Sequence, residues 1–179
     1  MKGIIFNEFL EFAEQVESAS FADSLIQNTS PASGGAYTAI GTYDYCELVD
    51  MVVEWSKQKA RPVPELLHDF GEHVFGRFVA GYPEFFDGID DAFAFLDTLE
   101  NRIHAEVRKL YPEANPPRFD TVRHGEDIMR LHYTSLRCLG DFASGLLQGC
   151  IKHFGGGIRV AVSDQTGKRG DVLFELTRT

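Results

Sequence analysis

The spacing of apolar residues changes period partway along this chain, and a cluster of prolines marks the change. Ile5, Phe9, Phe12 and Val16 are spaced as one helix face. Tyr45, Leu48, Val52 and Trp55 form a second stripe within residues 43–59. Pro62 and Pro64 open a further helix, predicted from Glu65 to about Val79 and ended by Gly81-Tyr82-Pro83. Ala92, Leu96, Leu99, Ile103, Val107 and Leu110 step by three or four and predict the longest helix, over 91–111. Pro112 and Pro116-Pro117 stop it. Beyond them Asp127 to Tyr133 alternates as a strand does. Leu139 to Phe154 returns to helical spacing and closes on Gly155-Gly156-Gly157. Ile158-Val160-Val162 and Val172-Phe174-Leu176 alternate around Thr166-Gly167-Lys168-Arg169-Gly170, a hairpin pattern. Residues 28–36 read as a loop. The expectation is an α+β fold: a mostly helical N-terminal part packed on a C-terminal antiparallel sheet of about four strands, all in one domain, 1–179.

A chain of 179 residues can bury a sizeable core, and 44% hydrophobic with 25% charged residues is ordinary for a globular protein. Fifteen Phe is a high count that suits an interior built around a large flat apolar ligand, although a plain aromatic core explains it equally. No apolar run approaches a membrane span, and Met1-Lys2-Gly3-Ile4 lacks a signal-peptide pattern, so the cytoplasm is expected. Cys46, Cys138 and Cys150 are too widely spaced for a C-x-x-C site and give no disulfide framework. The net charge of −10 argues against a nucleic-acid partner. It is uneven: residues 1–100 hold five basic and eighteen acidic side chains, residues 101–179 twelve basic and nine acidic. Complementarity between two parts of one domain explains this more simply than an acidic docking face.

Tyr133-Thr134-Ser135-Leu136-Arg137 carries the chemistry. On an extended backbone Tyr133, Ser135 and Arg137 would leave one face, two hydroxyls and a planar cation together. Arg matches carboxylate geometry and hydroxyls fill the remaining lone pairs, so the set reads as a clamp for a group with two carboxylates. Alone, such a set usually marks an exposed strand end. About thirty residues upstream, His104 stands at the edge of the 91–111 stripe, near the direction of Phe93 and Tyr111. A helical His is more often an ordinary residue than a ligand. A carboxylate clamp with one helical His nonetheless suggests haem, propionates in the clamp and iron on the imidazole. The other histidines compete poorly: His68 and His73 lie five apart, His132 precedes Tyr133 and points away from it, and His124 and His153 sit near element ends.

The chain resembles the haem-nitric-oxide/oxygen-binding (H-NOX) family. The resemblance runs from Met1-Lys2-Gly3-Ile4-Ile5-Phe6-Asn7 to the closing strand near Phe174. Arg102-Ile103-His104, the loop Asn115-Pro116-Pro117-Arg118-Phe119, and Leu131-His132-Tyr133-Thr134-Ser135-Leu136-Arg137 running into Gly145-Leu146-Leu147-Gln148-Gly149 carry it in order. It implies haem b buried between the helical part and the sheet. His104 would be the axial iron ligand, Tyr133, Ser135 and Arg137 the propionate clamp, and Pro117 a residue pressing on the ring. Phe78, Ile5, Phe9, Val74, Phe142 and Leu146 would complete the pocket. In the family's oxygen-binding branch a Tyr after the clamp donates to O₂; here Phe142 takes that place, with Val74 and Phe9 at its partners' positions. The chain thus resembles the NO-selective branch, with CO as a further ligand.

The resemblance further implies a sensor. NO would weaken the iron–His104 bond and leave a five-coordinate nitrosyl, and the freed helix 91–111 would move. The sequence has no G-x-x-x-x-G-K and no kinase or cyclase motif, so the output is expected to pass to a separate protein. Stand-alone bacterial members usually pair with a histidine kinase or a cyclic-di-GMP enzyme. Some relatives carry a Cys/His zinc site in the last segment; Ser163 to Thr179 has neither residue type, so no zinc is expected. A haem enzyme such as a peroxidase would need a distal acid–base group that Phe142, Val74 and Phe9 do not supply. A haem-free interaction module and a redox- or O₂-responsive sensor, the latter drawing on Cys138, are the remaining alternatives.

Overall fold

The computed structural model describes residues 1–163 and 170–179. Helix α1 (Gly3–Val16) turns Phe6, Phe9, Phe12 and Ala13 inward; of the expected stripe Phe9 and Phe12 are buried, Ile5 is half-buried and Val16 is exposed, so the buried face is rotated toward Phe6 and Ala13. Its start is fixed by backbone: the N–H groups of Gly3 and Ile4 donate to the carbonyls of Gly41 and Ala39. Helix α2 (Ala19–Thr29) is capped by the Ser18 hydroxyl, which accepts from the Phe21 N–H. It buries only Ala22 and Leu25, too little to leave a readable stripe, and the sequence did not predict it. Helix α3 (Tyr45–Lys59) begins behind an Asp44 cap and buries Leu48, Met51, Val52 and Trp55. Helix α4 (Val63–Gly81) is the longest, at 19 residues.

The single helix expected over 91–111 is three segments. Helix α5 (Ala92–Thr98) begins at Asp91, whose carboxylate accepts from the Ala94 N–H. A π-helical turn (Leu99–Ile103) comes next, then helix α6 (His104–Leu110). Apolar spacing does not reveal a π turn, because one wide turn rotates the succeeding helix without breaking the three-or-four step. The stripe also divides by burial. Ala92, Phe93, Phe95 and Leu96 are buried, whereas α6 buries nothing and Leu110 is 71% exposed.

Strands β1 (Arg118–His124), β2 (Ile128–Thr134), β3 (Ile158–Ser163) and β4 (Asp171–Arg178) form one antiparallel sheet in the order β1-β2-β4-β3. The fold is the expected α+β arrangement with four strands. The segment Asn115–Phe119, expected as loop, gives its last two residues to β1, where Phe119 pairs with Tyr133. The turn expected at Thr166 to Gly170 lies, Gly170 apart, outside the described residues, as does part of the segment expected to lack zinc.

Helix α7 (Gly140–His153) lies along α4 at a distance that only glycine permits. A Cβ on Gly145 would meet the His68 carbonyl oxygen at 1.8 Å, and one on Gly71 would meet the Phe142 carbonyl oxygen at 2.2 Å. One apolar cluster gathers α1, α3 and α4 around Phe9, Trp55 and Phe70, each at most 1% exposed. Burial of each such side chain contributes about 2–3 kcal/mol. A second cluster joins the sheet to α5 and α7 around Phe93, Met129, Leu131 and Phe174. Ion pairs Glu72–Lys152, Asp91–Arg178, Asp97–Arg123 and Glu100–Arg108 match acids of the first hundred residues with bases of the rest. That is the complementarity the uneven charge predicts.

Candidate functional site

His104 opens α6, and its N–H donates to the Leu99 carbonyl across the π turn. Its Nδ1 lies 2.7 Å from Glu100 Oε1. The same oxygen accepts the Phe119 N–H at 3.0 Å, and Oε2 accepts from Arg108 Nη2 at 3.2 Å. Burial pushes the imidazole below its ordinary pKa, against the pull of Glu100. Burial would raise the Glu100 carboxyl, but its bonds from His104 and Phe119 outweigh that and hold it below the usual range. A neutral imidazole beside a charged acceptor carries its proton on Nδ1. The Nε2 lone pair is then the free one; among the described residues nothing hydrogen-bonds it.

The His104 ring stands 5.8 Å from that of Phe119, which stands 5.4 Å from that of Tyr133. Tyr133 is 2% exposed on β2, and burial raises its phenol despite bonds with Ser135 and the Leu139 backbone. The clamp is not an extended run, as its spacing had implied. The strand ends at Thr134 because the Ser135 Oγ accepts the Arg137 N–H at 3.2 Å and the Ser135 carbonyl accepts the Cys138 N–H, closing a turn. Gly170 braces that turn: its carbonyl accepts the Ser135 N–H at 2.8 Å, and at φ +84° a Cβ there would lie 2.0 Å from the Ser135 carbonyl oxygen. Turn geometry, and not strand pleat, brings Ser135 and Arg137 beside Tyr133. The Arg137 guanidinium donates to the Asn115 carbonyl at 2.6 Å, which draws the Pro116-Pro117 loop to the clamp. His104, Pro117, Tyr133, Ser135 and Arg137 thus gather where α6 meets the open end of β1 and β2.

The remaining candidates form a separate group. Phe9 and Val74 are buried in the first cluster, with Ile5, Phe78, Phe142 and Leu146 packed against it. Phe142 lies 5.0 Å from Phe70, ring centre to ring centre. Leu146 packs against both clusters and so joins this apolar wall to the cluster that holds Phe119 and Tyr133. Glu100 is the functional candidate that sequence reasoning missed. Its signal was available: an acid four residues before a candidate ligand faces it on a helix. A surface cleft of about 560 Å³ beside Arg123 and Arg178 is a weaker candidate, since both arginines are committed to Asp97 and Asp91.

Known proteins carry a pattern similar to this one. The Haem-NO-binding family model matches residues 2–162. The chain belongs to this family of H-NOX domains. No curated protein matches it in sequence. Among solved structures it is similar to the Fe(II) unliganded H-NOX protein of K. algicida, at 30% identity and TM-score 0.93, covering 100% of this chain and 97% of that one. It is similar to the IWP-051-bound H-NOX of Shewanella woodyi in the Fe(II)CO state, at 36% identity and TM-score 0.86, covering 100% and 95%. It is also similar to the H-NOX protein of S. oneidensis in the Fe(II)NO state, at 25% identity and TM-score 0.91, covering 100% and 99%. The family binds haem and senses gases, so this H-NOX chain is a sensor domain and not an enzyme. Among the described residues no helix is long and apolar enough to cross a membrane.

Proposed function

We propose that this H-NOX domain is a haem b-based nitric oxide sensor, with the whole chain acting as one cytoplasmic unit. The observation that carries the reading is His104 with Nδ1 engaged by Glu100 and Nε2 unpartnered among the described residues. The chemistry of the other residues fits the same group. Arg137, Tyr133 and Ser135 suit two propionates, with four guanidinium donors left after Asn115. Ile5, Phe9, Val74, Phe78, Phe142 and Leu146 suit the apolar ring, and Pro117, two residues after the Asn115 that Arg137 holds, would press on it.

Haem bound there would supply a ferrous iron able to take NO. His104 would hold that iron through Nε2, and the α6 backbone it anchors would be free to move when that hold weakens. Apart from the largely buried His104 that helix adds no side chain to the core, so its position depends on His104, Glu100 and Arg108. An element with two positions biased by a ligand is what a sensor requires. Phe9, Val74 and Phe142 offer no hydrogen-bond donor to a bound gas, so O₂ is not retained while NO and CO are. The shifted face of α6 would be read by a histidine kinase or a cyclic-di-GMP enzyme.

Visible spectra of the reduced protein, before and after NO, beside a His104→Gly variant, test this. The expected result is a haem spectrum that changes with NO to that of a nitrosyl without histidine, no oxy form in air, and an altered unliganded spectrum in the variant. A protein that cannot be loaded with haem would leave only the fold, and the interaction-module reading would replace this one.

A further inference from the structure

Glu100 sits inside the π turn with three donors converging on its carboxylate. Oε1 takes the His104 imidazole at 2.7 Å and the Phe119 N–H at 3.0 Å, while Oε2 takes the Arg108 guanidinium at 3.2 Å. A group surrounded only by donors is an ionised acceptor. Its side chain is 23% exposed and that of His104 14%, so the pair is only weakly screened by solvent. We propose that Glu100 is the positioning residue that sets how firmly His104 holds iron, an inference that rests on the haem reading above. The carboxylate fixes the tautomer that leaves Nε2 free. By drawing on the Nδ1 proton it also moves negative charge onto the ring and makes Nε2 a stronger donor.

The second bond to the same oxygen gives Glu100 a further consequence. Phe119 belongs to β1, and its ring stands between His104 and Tyr133. One carboxylate oxygen therefore ties the iron ligand to the sheet that carries the clamp. Release of His104 changes the load on a bond shared with β1, so ligand loss is felt beyond α6. Arg108, the half-exposed third donor, draws charge the opposite way and tempers the effect.

Glu100→Gln separates charge from shape, because the amide oxygen can still accept from His104 and Phe119 without the negative charge. Resonance Raman spectra of the unliganded ferrous protein, with midpoint potentials, compare wild type, Glu100→Gln and Glu100→Ala. The iron–histidine stretch should fall in the Gln variant and further in the Ala variant, and both potentials should rise. The NO concentration that releases half of the histidine should drop by about tenfold or more. A Gln variant whose stretch and potential stay at wild-type values would overturn the proposal and leave Glu100 a helix contact; should Glu100→Ala not fold, this variant decides alone. Wild type with no iron–histidine stretch would bring down the haem reading itself, whereas a wild-type stretch that Glu100→Gln does not move brings down only this inference.

Discussion

Helices α4 and α7 meet through backbone, while α6, beyond a π turn whose Leu99 and Ile103 pack on the second cluster, is held by polar side chains. On the first pair, Gly71 and Gly145 let main chains approach so closely that a methyl group has no room. On the second, a π turn and the Glu100 contacts to His104, Phe119 and Arg108 do the holding, and α6 contributes nothing to the core. Close-packed interiors resist small displacements, whereas a few hydrogen bonds can be exchanged for others at little cost. The contrast suits the proposed function. On that proposal the wall that would choose the gas, with Phe142 on α7 and Val74 on α4, must keep its shape. The helix that would report binding must be able to change place.

Gly145→Ala is the strongest way to break this contrast. Its new Cβ faces main chain on α4 and has no flexible neighbour to displace, so a loss of about 3 kcal/mol is expected. Leu110→Ala on the exposed end of α6 should change stability by about 0.5 kcal/mol or less. Urea midpoints of the two variants measure both, and similar losses would erase the distinction. Phe142→Tyr comes next, since it leaves the scaffold alone and adds a donor to the wall. A hydrogen bond to charged oxygen is worth about 1.5–3 kcal/mol, or roughly a ten- to hundredfold slower loss of O₂. The ferrous variant should then show an oxy spectrum in air; if it matches wild type, the apolar wall does not decide the gas.

Legibility in the sequence follows the same divide. Segments with a full apolar face, such as α1 with Phe9 and Phe12 or β2 with Met129, Leu131 and Tyr133, announce themselves by period, although the α1 face is centred nearer Phe6 and Ala13 than Ile5 and Val16 implied. Strand β1 does not, because it is a sheet edge with Phe119 as its one buried residue. The π turn is invisible for a different reason. It is a backbone choice fixed by what Glu100 and His104 bond to, and their partner Phe119 lies far along the chain. The clamp candidates were named by residue type, but their grouping depends on a turn that Gly170, just before β4, braces. Chemistry was readable where residue type alone determines it, and geometry was not where a distant backbone supplies it.

Arg137→Ala probes the soft side at its other end. It removes the clamp's cation and its hold on the Asn115 carbonyl, so haem should transfer to apomyoglobin about tenfold faster or more, with Arg137→Lys in between. Unchanged transfer would remove Arg137 from the clamp.

A pH-dependent effect is expected on the rigid side, at His73 of α4. Its Nε2 is buried, lies 3.6 Å from Glu8 Oε2, too far for a hydrogen bond, and has no other partner among the described residues. Glu8 is instead held by Arg77 at 2.8 Å, and the Phe12 ring stands over the imidazole. Burial lowers the His73 pKa, and Arg77 opposes the pull of Glu8. The folded state therefore keeps this ring neutral at pH values where the unfolded chain, near its ordinary value of about 6.5, takes up a proton. Stability is full above that value and falls as the pH drops through it. His104 is shifted the same way, so His73→Gln should flatten only part of the slope between about pH 7 and pH 5, by at most about one proton. Urea unfolding of the haem-free protein across that range measures it. Equal slopes with and without His73 would mean that the packed side of the molecule admits water to this ring, and that its rigidity ends short of the α1–α4 contact.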